Sequence, residues 1–179
     1  MSWSLVLHFI LISALGLLLA GFQTSFWFQM FGEVAPPLLW LVLFTYIIIY
    51  RTGMAALLQL VVLGMLLAYF SGVSLKVFYL CLLSYYCVIY FIKSRIFWSG
   101  AGYFLMMCSL GSIFYHVIFS VVTIMIERSR PEWLLVERAT QILLTPAFAF
   151  PFFWLMQRLD SVFFYSELKA EVTGGTTYE

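Results

Sequence analysis

Residues 34–75 read VAPPLLWLVLFTYIIIYRTGMAALLQLVVLGMLLAYFSGVSL, and Arg51 is the only charged residue among them. Each side of Arg51 approaches the roughly 20 apolar residues that cross a bilayer. The stretch therefore predicts two membrane-spanning helices joined by a tight cytoplasmic turn at Arg51-Thr52-Gly53. Pro36 and Pro37 suit the first turn of a helix, where the missing N–H would be unpaired anyway, and Gly53 suits a reversal that needs positive φ. Ala55, Ala56, Gly64 and Ala68 are small enough to let a neighbouring backbone approach, as membrane helix interfaces favour. Ser71-Gly72 begins the next turn.

Composition extends this reading to the whole chain. With 64% hydrophobic residues, 9% charged residues and a mean hydropathy of +1.04, it departs far from soluble domains, of which about 25% is charged. At 179 residues it holds roughly six spans with short loops, which leaves no room for a large soluble catalytic module. The formal charge of +1 and the absence of a Lys/Arg cluster point to no nucleic-acid partner. The partner that composition does name is the lipid bilayer. Cys81, Cys87 and Cys108 are odd in number, lie in apolar runs and form no C-x-x-C, so they read as small packing residues rather than a disulfide or metal framework. No cofactor is implied. The N-terminal stretch lacks a basic n-region and a small-residue cleavage site, and reads as a retained first span.

The fold class expected is an all-α polytopic membrane protein with six transmembrane helices in one domain, 1–163, followed by a polar tail, 164–179. The spans fall at about 4–21, 37–50, 54–70, 77–92, 98–126 and 132–157. After Gly21, Phe22, Phe26, Met30 and Phe31 recur near helical spacing opposite Gln23, Thr24, Ser25 and Gln29. Two readings fit: a segment in the interface with Trp27 at headgroup depth, or an aromatic loop over the bundle mouth. Span four carries Tyr79, Tyr85, Tyr86 and Tyr90, of which some should face protein, because a phenol in hydrocarbon seeks a partner. Residues 96–126 lack Asp, Glu, Lys and Arg over more than a perpendicular helix requires, so span five should tilt or follow an interfacial turn at 97–102. Both termini are expected in the cytoplasm. That puts Arg51, Lys93, Arg95, Arg158 and Lys169 inside, against Lys76, Arg128, Arg130 and Arg138 outside.

Glu137, Gln141 and Thr145 recur every four residues and share one face of span six, with Arg138 beside them. Ionisable groups inside a span are functional candidates by default; equally, Glu137 and Arg138 lie near enough to Pro131 to snorkel to the outer headgroups. Residue counts put His116 and Gln141 at about the same depth, near 15 Å from the outer ends of their helices. His116 is thus expected either to pair with Gln141 or Glu137 across spans five and six, or to pack against Tyr115. No serine sits on a Gly-flanked elbow with a histidine in reach, and no metal or phosphate motif is visible. The expectation is a protein that is not an enzyme.

The hairpin resembles the MreD family, small membrane proteins of the bacterial rod-shape machinery. The residues that carry the resemblance are Pro36-Pro37-Leu38-Leu39-Trp40-Leu41 leading to Tyr46 and Arg51-Thr52-Gly53, then Gly64 to Ala68 and Ser71-Gly72. Leu143-Leu144-Thr145-Pro146 and Leu155 to Leu159 are similar to the family's last span. The chain departs from the family pattern at Ala68, usually acidic there, and at Pro37 or Leu38, where an Asp usually follows the proline. The resemblance implies a non-enzymatic component of the bacterial inner membrane that binds MreC and works, directly or indirectly, with MreB and a RodA-type peptidoglycan polymerase complex. It also implies a fold similar to the substrate-binding subunits of energy-coupling-factor transporters, and hence an alternative function, the binding of a vitamin-type small molecule for transport. For a scaffold, the candidate partner-binding or packing residues are Phe26, Trp27, Pro36, Pro37, Arg51, Gly53, Gly64 and Gly72. For a transport subunit they are His116, Glu137, Arg138, Gln141 and Thr145.

Overall fold

The computed structural model describes residues 3–32, 34–51, 53–96, 100–127 and 135–174. Every regular element among them is helical: α1 (Trp3–Gly21), a π-helical turn (Phe22–Phe26), α2 (Trp27–Phe31), α3 (Leu39–Tyr50), α4 (Gly53–Ser71), α5 (Leu75–Arg95), α6 (Ala101–Glu127) and α7 (Leu135–Gly174). Five stretches are long and apolar enough to cross a membrane: Phe9–Phe31, Gly53–Ser71, Leu75–Arg95, Ala101–Ile126 and Val136–Ser161.

The sixth helix, α3, is the hub. It packs against α1, α4, α5, α6 and α7, and ten of its twelve residues are buried. Twelve residues rise only about 18 Å, short of the roughly 30 Å hydrocarbon core. Pro36 and Pro37 do not form its first turn, as expected, but precede it. Each proline disfavours the helical region for the residue before it, so the chain enters α3 through a non-helical segment. Such a backbone is tolerated at membrane depth only where protein surrounds it, and here Ala35, Pro37 and Leu38 are buried. Its amides find partners inside the bundle: Leu38 N–H donates to Thr145 Oγ1 (3.0 Å) and Leu39 N–H to Pro37 O (2.9 Å).

The aromatic segment after Gly21 corrects the loop reading: it continues α1 as helix to Phe31. The helical spacing was real, and the polar residues are absorbed without breaking it: Thr24 Oγ1 donates back to Ala20 O (2.9 Å). Trp27, expected at headgroup depth, is 4% exposed. Its indole N–H donates to Val34 O (2.8 Å) and its ring meets Phe148 edge-on at 5.6 Å. Gly32, at φ +59°, ends the helix where a side chain would be strained.

Close approach explains two glycines. A Cβ on Gly64 would lie 2.7 Å from Leu82 Cδ2, and one on Gly111 would lie 2.5 Å from Tyr85 Oη. That second approach seats the wholly buried Tyr85, whose hydroxyl hydrogen-bonds Thr45 Oγ1 at 2.6 Å. Tyr86 donates to Gly53 O and Tyr79 to Val61 O, both at 3.0 Å. Most of the span-four tyrosines thus face protein, as their number suggested, while Tyr90 is exposed and stacks on Tyr86. Cys81 and Cys108 pack in the interior and Cys87 faces outward.

Gly53 is another correction. It opens α4 without positive φ, which occurs instead at Gly32, Gly72 and Gly100. What Gly53 supplies is room, since its Cβ would meet Tyr90 Cε2 at 3.3 Å. The 27 residues of α6 rise about 40 Å, longer than the roughly 30 Å hydrocarbon core. Of the proposed turn before it, residues 97–99 lie outside the described residues, as do Pro131 and residues 132–134 at the start of span six. The apolar stretch of span six ends at Ser161, close to the expected Gln157 to Asp160, but its helix does not: α7 passes through Pro146 and Pro151 and continues to Gly174. The tail is helical over 164–174, and residues 175–179 lie outside the described residues.

Candidate functional site

Polar side chains gather at the two ends of α3. At its C-terminal end Asp160 of α7 receives Tyr46 Oη on Oδ2 (2.6 Å) and Arg51 Nη2 on Oδ1 (2.7 Å). The Arg51 and Asp160 side chains are only 12% and 22% exposed. Lys93, in the last turn of α5, donates through Nζ to Ile48 O (2.8 Å) and Arg51 O (3.1 Å). These are carbonyls that a helix end leaves without intrahelical partners, and a cation there also suits the helix dipole. One carboxylate, two cations and a phenol thus fasten α3, α5 and α7 into a clasp. Arg51 is part of a buried network rather than a simple boundary.

At the N-terminal end Thr145, wholly buried, accepts from Leu38 N–H and donates to Gln141 O (2.6 Å). Its place on the polar stripe of α7 is therefore a backbone-bridging one. Beyond it opens a cavity of about 410 Å³ whose polar lining includes Gln23, His116, Glu137, Arg138 and Gln141, with Trp40, Phe78, Tyr115 and Phe119 among its walls. The volume falls within the range of ligand pockets. Trp40 meets Tyr115 edge-on at 5.0 Å and Phe78 at 6.0 Å, so the walls are braced by one another.

The stripe on α7 and His116 are thus brought to one cavity, though not by the expected pairing. His116 Nε2 is buried with no hydrogen-bond partner, and so is Gln23 Oε1. An unmet buried polar group costs about 1–3 kcal/mol. The link between α6 and α7 runs instead through Arg138 Nη1, which donates to Ser120 Oγ (2.7 Å), and Ser120, which donates to His116 O (2.8 Å). Arg138 also lies 6.0 Å over the Phe119 ring, a cation–π placement. Its anchorage to α6 gives it a fixed place at the cavity. Glu137 is exposed. The His116 ring sits 6.0 Å from Tyr115, as the aromatic-packing reading anticipated.

Of the other candidates, Pro36 lines the cavity and Pro37 is buried beside it in sequence. Phe26 is exposed and stacks on Phe22 at 5.0 Å, away from the cavity wall formed by Gln23. Gly64 lies in the α4–α5 contact, Gly72 in the turn between those helices at φ +62°, and Arg51 and Gly53 at the clasp end. Asp160, Lys93, Tyr46 and Ser120 are the residues that sequence reasoning missed. An isolated acid at the end of one apolar run and an isolated Arg at the end of another were the available signal. Compared with known protein families, with curated proteins and with solved structures, the chain has no match.

Proposed function

We propose that this protein is a non-enzymatic scaffold of the bacterial cell-wall elongation machinery in the inner membrane, a member of the MreD family that binds MreC and supports a RodA-type polymerase complex with MreB. The observation that carries the reading is the mutual packing of the two stretches on which the resemblance rests. Residues 36–53 and 143–159 are held together at one end by Leu38 and Thr145 and, just beyond Leu159, by Asp160 with Tyr46 and Arg51. A scaffold needs a frame that keeps its shape while partners load it, and paired buried groups supply that.

In this reading the chain crosses the membrane six times. Helix α3 contributes about 18 Å and its four-residue lead-in, 35–38, about 13 Å if extended, together close to the hydrocarbon thickness. The clasp end faces the cytoplasm, since Arg51, Lys93, Arg95 and Arg158 cluster towards it. Deletion in a rod-forming host is expected to give round cells; unchanged rods would overturn the scaffold reading.

A second reading is favoured by the cavity: a substrate-binding subunit of a small-molecule transporter, with the fold of energy-coupling-factor subunits. Such a subunit needs convergent polar groups in a ligand-sized space, and Gln23, His116, Arg138 and Gln141 line one. Uptake by the host unaffected by deletion, for every vitamin tested, would count against it.

A further inference from the structure

The cavity has a chemistry that neither lipid tails nor a simple anion satisfies. Its walls are aromatic, with Trp40, Phe78, Tyr115 and Phe119 presenting ring faces and edges on several helices. Such walls favour a flat, polarisable occupant. An acyl chain would also be accepted by them, yet it would leave the polar wall residues Gln23, His116 and Gln141 without partners. A free phosphate would answer Arg138 and leave the rings in contact with water.

The register of those groups narrows the occupant further. Arg138 reaches Ser120, which fixes α6 against α7 at that level. His116 is one turn further from the C-terminal end of α6 and Gln141 about one turn further into α7, so the two lie at one depth. Glu137 and Arg138 stand about one turn nearer the N-terminal end of α7, so a carboxylate and a guanidinium lie at one level of the cavity and the His116 imidazole and Gln141 amide at the next.

We propose that this cavity binds a small planar heteroaromatic molecule, stacked among Trp40, Tyr115 and Phe119, with its hydrogen-bonding edge towards Gln141, His116 and Gln23 and a polar or zwitterionic end at Glu137 and Arg138. The proposal deepens the transport-subunit reading and rests on it only in needing an occupied cavity.

The test uses the full chain in lipid nanodiscs titrated with 7-amino-4-methylcoumarin, a neutral fluorescent heteroaromatic carrying both a donor and an acceptor. Saturable binding near one probe per chain is expected. Gln141→Leu, a change of similar volume at a half-buried site, should weaken it about tenfold by removing a hydrogen bond to the bound molecule. Ala20→Trp, which fills the cavity, should abolish it. If Ala20→Trp does not fold, as judged by gel filtration, Gln141→Leu alone decides. Partitioning equal to that of protein-free nanodiscs, or saturable binding insensitive to Gln141→Leu, overturns the proposal. So does displacement of the probe by dihexanoyl-phosphatidylethanolamine at one per chain, which would assign the cavity to lipid headgroups. Intact probe binding with no ATPase subunit retained on purification would overturn transport and leave the ligand site standing.

Discussion

The two ends of α3 solve the same problem in opposite ways. Both must handle polar groups inside an apolar bundle, where an unmet donor or acceptor is costly. At the clasp end the Tyr46 hydroxyl, the Arg51 guanidinium and the last-turn carbonyls of α3 meet partners on α5 and α7. At the cavity end Thr145 serves the backbone and Arg138 donates to Ser120, while His116 Nε2 and Gln23 Oε1 meet no partner. The clasp is a joint within the fold, whereas the cavity keeps buried polar atoms that the fold does not pair. The difference teaches that polar groups in an apolar bundle do not all serve to hold helices together.

Breaking the clasp should have the largest effect. Asp160→Ala removes the carboxylate that receives Arg51 Nη2 and Tyr46 Oη in a mostly buried setting, and loss of one partner of a buried pair costs about 3–5 kcal/mol; partial exposure places the expectation near the lower figure. Thermal unfolding in detergent should show the fall, with Asp160→Asn recovering part of it through the Tyr46 contact. An unchanged melting temperature in Asp160→Ala would mean that solvent replaces the clasp.

Next comes the other end of the same helix. Thr145→Val keeps the shape and removes the acceptor for Leu38 N–H, and should cost about 1–3 kcal/mol. Hydrogen exchange at Leu38 should rise while that of the α3 interior stays slow. Gly111→Ala should cost about 1–3 kcal/mol by overpacking, since its Cβ would fall on Tyr85 Oη, and near-ultraviolet tyrosine signals should change with it. The smallest effect belongs to the cavity: Gln141→Leu should alter stability by less than about 0.5 kcal/mol, because the amide holds no part of the fold together. A large loss there would erase the contrast between the two ends.

Much of this was legible in the sequence, for physical reasons. Uncharged runs reveal apolar helices because charge is costly in hydrocarbon, so α4, α5 and α6 fall close to their expected places, while α7 runs on to Gly174. The i, i+4 spacing of Glu137, Gln141 and Thr145 and the equal depth of His116 and Gln141 follow from helix geometry alone. What could not be read depends on register between distant segments. Arg51 and Asp160 are 109 residues apart, and nothing local to either announces the other. Thr145 belonged to the polar stripe by spacing, yet its role is fixed by Leu38 in the non-helical lead-in to α3. Trp27 looked like an interfacial anchor because it stands in an aromatic run opposite polar residues; a π-helical turn precedes it, and it packs inward instead. Pro36 and Pro37 fit a helix start by local rule, and it is the acceptor on α7 that permits a non-helical entry.

The most direct test of the proposed role is affinity purification of the tagged protein from native membranes in mild detergent, with mass spectrometry of what is retained. The scaffold account predicts a single-span periplasmic coiled-coil protein together with cell-wall polymerases. Recovery of transport ATPase subunits in their place would contradict it and make the cavity, rather than the clasped frame, the centre of the protein's function.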